Sequence, residues 1–292
     1  MKTILVPTDF SAVACNALEY ALAVATVTQS RILLVHVVDV ASTFSQYHTF
    51  LDSVTSQLLA DAEHELKTIA EKKRISVPVK LQTVCTLGNF VAEVNSLATQ
   101  NAVDFVVMGT HGQGGILDKI FGTNALAFMN QAKCPVLLVP QNATFKGIHQ
   151  IAFAYDLDSE VTSVLRQLFQ WATPFNAQVS IINCLSERQL NLVPDFSLLQ
   201  SIIKTFPVEN YSLIQRKEDD VVKGIFDFVQ ENQTEVLAIA THEKVFLEEL
   251  LHRSVSKRLL FQTQVPLLAF QETISYPKKI QLHEQLTQES YS

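Results

Sequence analysis

Two short stretches of the chain combine residue types and spacing that suit a phosphorylated ligand. The first is Val106-Val107-Met108-Gly109-Thr110-His111-Gly112, an apolar run that meets two glycines three residues apart. It is followed by Gly122-Thr123 at the head of Asn124-Ala125-Leu126-Ala127-Phe128-Met129, which has helical spacing. Glycine has no Cβ, so backbone can turn sharply there or come close to another group. A loop returning to a helix start presents free N–H groups and a partial positive charge, which favours phosphate. The second stretch is Pro7-Thr8-Asp9, directly after the apolar Ile4-Leu5-Val6. Its carboxylate can accept from a ribose hydroxyl or a base amine. The competing readings are an Asp9 that only serves the helix start near Ser11, and a glycine-rich turn with no ligand.

Several other chemistries are disfavoured by what is missing. The pattern G-x2-G-x9-G-[ST] is neither the Walker loop, which needs Gly-Lys-[Ser/Thr], nor the dinucleotide fingerprint G-x-G-x-x-G. His64-Glu65 has no second histidine at metalloprotease spacing, and there is no Gly-x-Ser-x-Gly elbow. His111 stands beside the loop, and histidine is a residue type suited to general acid-base work, but a histidine recurs at His242 where the glycines are absent. We therefore assign no catalytic residue and no protein metal site.

The elements that position these stretches alternate strand with helix. Continuous apolar runs at 2–7, 32–38, 103–108 and 135–139 mark parallel strands buried on both faces, while 79–84 alternates and predicts a third, more lateral strand. Between them fall a helix capped by Ser11, a half-exposed helix over roughly 51–73 and another over 90–98. The expectation is an α/β fold with open five-stranded parallel sheets, order 3-2-1-4-5, and helices on both faces. That order reverses between the first and fourth strands, the ones that end at Asp9 and Gly109, so both stretches would face one crevice.

The second half of the chain repeats the first. Asp9 corresponds to Asp156 and His36 to Asn183 at an offset of 147, whereas Thr110-His111 corresponds to Thr241-His242 and Pro135 to Pro266 at 131. A duplication at this period means two copies of one domain. The missing 16 residues are placed in a shorter second connection around 186–209. The division expected is 1–142, 147–270 and a polar tail, 271–292, that lies on the surface or is partly disordered. In the second copy Ala240, Glu243, Arg253 and Ser254 replace Gly109, Gly112, Gly122 and Thr123, so its site is expected to be empty or to hold a ligand other than that of the first half.

With 48% apolar and 17% charged residues the chain reads as soluble and globular, and no apolar run approaches the roughly 18 residues of a membrane span. Neither an export signal nor a span is read, so a cytoplasmic location is expected. Net charge is −7, divided as 9 basic and 11 acidic residues up to 144 and 13 and 18 beyond, which excludes the basic footprint of a nucleic-acid binder. Cys15, Cys85, Cys134 and Cys184 form no C-x-x-C pair and are read as buried thiols.

Both stretches resemble the universal stress protein family: Ile4-Leu5-Val6-Pro7-Thr8-Asp9-Phe10-Ser11 is similar to its first strand and aspartate, and the glycine pattern to its nucleotide loop. The resemblance implies ATP as ligand, with Pro7, Thr8, Asp9, Val37, Met108 and Gly109 around the nucleoside and Gly112, Gly122, Thr123 and Asn124 around the phosphates. Mg2+ would enter only as a companion of the triphosphate, coordinated mainly by phosphate oxygens and water. It implies a cytosolic stress-response regulator more than an enzyme. A slow ATP hydrolase or nucleotide-dependent transferase is the runner-up, and a nucleotide-free interaction scaffold the third reading. Members commonly pair through their fifth strands; here 136–139 and 265–270 could pair within one chain as an internal pseudo-dimer, with a homodimer as the other arrangement.

Overall fold

The computed structural model describes residues 2–39, 51–110, 123–155, 161–185, 196–206, 209–241 and 264–271. The first half runs β1 (Thr3–Pro7), α1 (Ala12–Thr28), β2 (Arg31–Val38), α2 (Leu51–Ser76), β3 (Leu81–Leu87), α3 (Phe90–Gln100), β4 (Phe105–Thr110), α4 (Thr123–Gln131) and β5 (Val136–Pro140). The second runs β6 (Gln150–Ala154), α5 (Val161–Ala172), a 3-10 turn (Thr173–Phe175), β7 (Gln178–Leu185), α6 (Phe196–Thr205), β8 (Tyr211–Lys217), α7 (Val221–Glu231), β9 (Val236–Thr241) and β10 (Leu267–Gln271).

The strands lie in the order β3-β2-β1-β4-β5-β10-β9-β6-β7-β8, so each half has the order 3-2-1-4-5. All neighbours are parallel except the central pair, where Leu138, Leu137 and Val136 face Leu267, Leu268 and Ala269 antiparallel. The two sheets expected separately are thus one ten-stranded sheet. The join follows from the sequence: Val136, Leu137, Leu138 and Val139 on one side and Leu268 and Phe270 on the other are all buried, and an apolar edge left unpaired would invite aggregation. Burial of each such large side chain contributes about 1.5–3 kcal/mol.

Equivalent hydrogen bonds recur in both halves. The carboxylate before the fourth strand accepts from the amide that opens the first: Asp104 from Thr3 at 2.7 Å, and Glu235 from Gln150 at 2.7 Å. At the other end of the first strand, His36 Nδ1 lies 2.8 Å from the Thr8 carbonyl, and Asn183 Nδ2 donates to the Tyr155 carbonyl at 3.4 Å. The lost residues lie in the second connection, since α2 has 26 residues and α6 has 10.

Three expectations need correction. The third strand runs Leu81–Leu87, not 79–84, because pairing with β2 starts where Leu81 meets Ile32; Val79 is buried ahead of that ladder. Cys15 is exposed, while Cys85 and Cys134 are half-buried and only Cys184 is buried. Helix α1 turns Ala14, Ala17, Leu18 and Ala21 towards the core, which leaves Cys15 on its outer face. Lastly, the fourth strand runs Phe105–Thr110, not 103–108, so of the two readings of Gly109 the close approach holds and the turn does not. The C-terminal tail beyond Gln271 lies outside the described residues.

Candidate functional site

The crevice sits where the chain order reverses, at the carboxyl ends of β1, β2 and β4. Each of its walls has a local cause. After β1 the chain turns through Phe10, which has φ 64, and the turn is closed by the Phe10 amide donating to Thr8 Oγ1 at 3.0 Å. The Ser11 amide donates to Asp9 Oδ1 at 3.0 Å, and Ser11 itself caps α1 by accepting from the Ala14 amide at 3.2 Å. Asp9 is exposed at the mouth. It serves the helix start and also faces the crevice, so the two readings of this carboxylate describe one geometry. His36 stacks on Phe10 with centroids 4.5 Å apart and fixes the Thr8 carbonyl, which sets the floor.

Gly109 is there for close approach, and the group approached is Val13. A Cβ there would lie 2.6 Å from the carbonyl oxygen of Val13 and 2.7 Å from its Cγ1. The glycine therefore lets the first turn of α1 lie directly on β4. On the opposite wall, buried Asn95 donates to the Gln131 carbonyl at 2.8 Å and accepts from the Lys133 amide at 3.1 Å, which ties α3 to the end of α4. Phe90 packs edge-on against Phe128, centroids 6.2 Å apart. The starts of α1, α3 and α4 thereby converge, each with its positive dipole end towards the crevice.

The resulting cleft is about 290 Å³, near the lower end of the roughly 300–1,000 Å³ of small-molecule sites. It brings together Pro7, Thr8, Asp9, Val37, Met108, Gly109 and Asn124, seven of the ten positions nominated from sequence. Thr123 opens α4. Gly112 and Gly122 lie outside the described residues, as does His111. Ser11, Val13, Ala14, His36, Phe90 and Ala125 also line the cleft and were not nominated from sequence. A signal for His36 exists: beyond Arg31 at the start of β2 it is the one polar side chain of that strand, it sits towards the carboxyl end, and Asn183 repeats it. Chemically, the walls offer apolar surface from Val13, Ala14, Val37, Phe90 and Met108, one carboxylate, and helix starts, a set that fits a flat, partly apolar ring with hydroxyls and an attached anion.

A model of the universal stress protein family matches residues 1–140. Universal stress protein A homolog 1 of Coxiella burnetii is 30% identical over 139 residues, covering 47% of this chain and 95% of that protein. The chain belongs to the universal stress protein family. A further member, from Methanocaldococcus jannaschii, is 26% identical over 153 residues, covering 47% of this chain and 94% of that protein. The fold likeness spans both halves: the crystal structure of a universal stress protein from Archaeoglobus fulgidus covers 93% of this chain and 98% of its own, with TM-score 0.73 at 17% identity.

In this family member the second half keeps the strand order and changes the residues at the corresponding positions. Tyr155 stands where the first half has Thr8, Cys184 where it has Val37, Val221 where it has Phe90 and Ala240 where it has Gly109. Burial pushes the Cys184 thiol above its ordinary range, so it is neutral at physiological pH and acts as a small apolar side chain. Asp156, Glu243, Arg253 and Ser254 lie outside the described residues. No group of three or more potential metal ligands occurs among the described residues, and no helix of theirs is long and apolar enough to cross a membrane.

Proposed function

We propose that this universal stress protein binds an adenine nucleotide, ATP in the first instance, at one competent site in its N-terminal half and acts as a cytosolic stress-response regulator. The observation that carries this reading is the convergence of Pro7, Thr8, Asp9, Val37, Met108, Gly109 and Asn124, nominated from separate stretches of sequence, on one cleft at the sheet's switch point. Asp9 accepts from the ribose hydroxyls, the backbone beside Val37 reads the base edge, and Phe90 and Met108 pack on the base. The start of α4 and the glycines 112 and 122 receive the phosphates. Residues 1–142 thus carry ligand binding, and 147–270 hold the fold and cover the β5 edge. Among the described residues of the cleft no base is paired with a placed acid, and the reading is binding more than turnover. Native purification followed by mass spectrometry of the released small molecules tests this: an adenine nucleotide near one per chain is the expected result. A chain that arrives without nucleotide and takes up no ATP on titration would favour the interaction scaffold instead.

A further inference from the structure

The duplication creates one space twice, where the first helix of one half lies over the starting edge of the other half's strands. Between α1 and the second half, that space is filled from within the chain. Phe145 of the linker lies edge-on to Tyr20 at 5.4 Å and 6.5 Å from Phe175, and Ile148 is buried. Burial, with the nearby Glu235 carboxylate, pushes the Tyr20 hydroxyl above its ordinary range. Both oxygens of Glu235 are engaged by the scaffold. One accepts from the His149 and Gln150 amides at 3.1 and 2.7 Å, and the other lies 3.2 Å from His149 Nδ1.

Between α5 and the first half, the counterpart is an open cleft of about 430 Å³, a volume typical of small-molecule sites, and it lies between two repeats, where such sites are common. Gln167 stands there for Tyr20 and Trp171 for Val24. Its apolar wall is Phe105 and Trp171, edge-on with centroids 6.0 Å apart, together with Phe270. Trp171 is only 6% exposed, yet its indole Nε1 has no hydrogen-bond partner among the described residues. A buried donor left unmade is costly, and native structures rarely leave one. Two opposite charges line the same cleft. Asp104 accepts from the Thr3 amide through Oδ2, and Lys2 Nζ donates to the Gln170 carbonyl at 3.3 Å. Among the described residues no ion pair joins the two, which leaves Asp104 Oδ1 and the remaining Lys2 donors for another group.

We propose that this cleft binds a small zwitterion with an aromatic ring, the chemistry of a free aromatic α-amino acid. The ring lies against Phe105 and α5, as the Phe145 ring lies against α1 in the equivalent space. Its carboxylate accepts from Lys2 and from the Trp171 indole N–H, and its ammonium donates to Asp104 Oδ1. Charge complementarity selects the class. An anion alone meets the repulsion of Asp104 and a cation alone that of Lys2, whereas a zwitterion satisfies both. This inference is independent of the nucleotide site.

Trp171 is the only tryptophan in the chain, so the emission of the full-length protein reports the cleft directly. Titration with L-phenylalanine, excited where only indole absorbs, should give a saturable change, and equilibrium dialysis should count one molecule per chain. Phenethylamine and 3-phenylpropionate, which each keep the ring and one charge, should bind at least about tenfold more weakly. Lys2→Ala and Asp104→Asn should each weaken L-phenylalanine binding about tenfold, the second variant keeping an acceptor for the Thr3 amide. No binding of L-phenylalanine in dialysis up to about 10 mM would overturn the proposal. So would equal affinity for the three probes, since the ring alone would then be recognised, or full affinity in both variants. Should either variant fail to fold, the three probes on the unaltered chain decide.

Discussion

The two halves of this protein share strand order, register and anchoring hydrogen bonds, and differ where the strands end. In the first half, Thr8, Val37, Gly109 and Phe90 leave a cleft of about 290 Å³; in the second, Tyr155, Cys184, Ala240 and Val221 stand at the same places. The scaffold bonds, Asp104 to Thr3 against Glu235 to Gln150 and His36 to Thr8 against Asn183 to Tyr155, survive in both. The lesson is that a duplicated fold keeps what holds strands in register and is free to change what lines the crevice. The second half still has structural work, because β10 pairs with the apolar β5 edge.

The comparison can be broken most strongly at Gly109. Its substitution by alanine should lower stability by about 3 kcal/mol, since a Cβ 2.6 Å from the Val13 carbonyl forces α1 off β4. The reverse change in the other half, Ala240→Gly, should cost only about 1 kcal/mol through backbone entropy. Urea unfolding monitored by circular dichroism measures both, and equal costs would mean the two helix-strand contacts do not differ as described.

A smaller effect is expected at the paired aspartates. Asp9→Ala should weaken ATP binding by about 1–2 kcal/mol, one hydrogen-bonded charge being lost, while Asp156→Ala should leave it unchanged. Competition against a fluorescent ATP analogue separates the two, and a comparable loss in both variants would show that the second half takes part in binding.

The smallest effects sharpen the comparison at His36 and Asn183. Each alanine substitution removes a hydrogen bond to a strand-end carbonyl, worth about 1 kcal/mol of stability. Only His36→Ala should also lower ATP affinity, because His36 lines the cleft. Affinity lost equally in both would mean that the effect comes from the sheet and not from the lining.

Much of the fold was legible because strands buried on both faces leave an unmistakable trace, as in Ile4-Leu5-Val6 and Ile32-Leu33-Leu34-Val35, and because the repeat fixed strand order twice over. Edge strand β3 was misplaced since its half-exposed pattern has no sharp start, and only its partner β2 decides where pairing begins. At the cleft, the residues of the two motifs were nominated readily. Phe90 was missed because it comes from a helix start with no motif of its own. Close approach was one of the two readings of Gly109, but its partner was missed because Val13 lies 96 positions earlier in the chain, and close packing between distant segments has no local signature. Cys15 was misread because residue type predicts burial less well than position on a helix face.

The central claim is that one half binds nucleotide and the other does not, and calorimetric titration of the full chain with ATP tests it most directly. The predicted stoichiometry is one per chain, falling to zero in Gly112→Val, where a side chain would displace several charge-assisted phosphate contacts of about 1.5–3 kcal/mol each. A stoichiometry of two, or binding retained in Gly112→Val, would contradict the asymmetry.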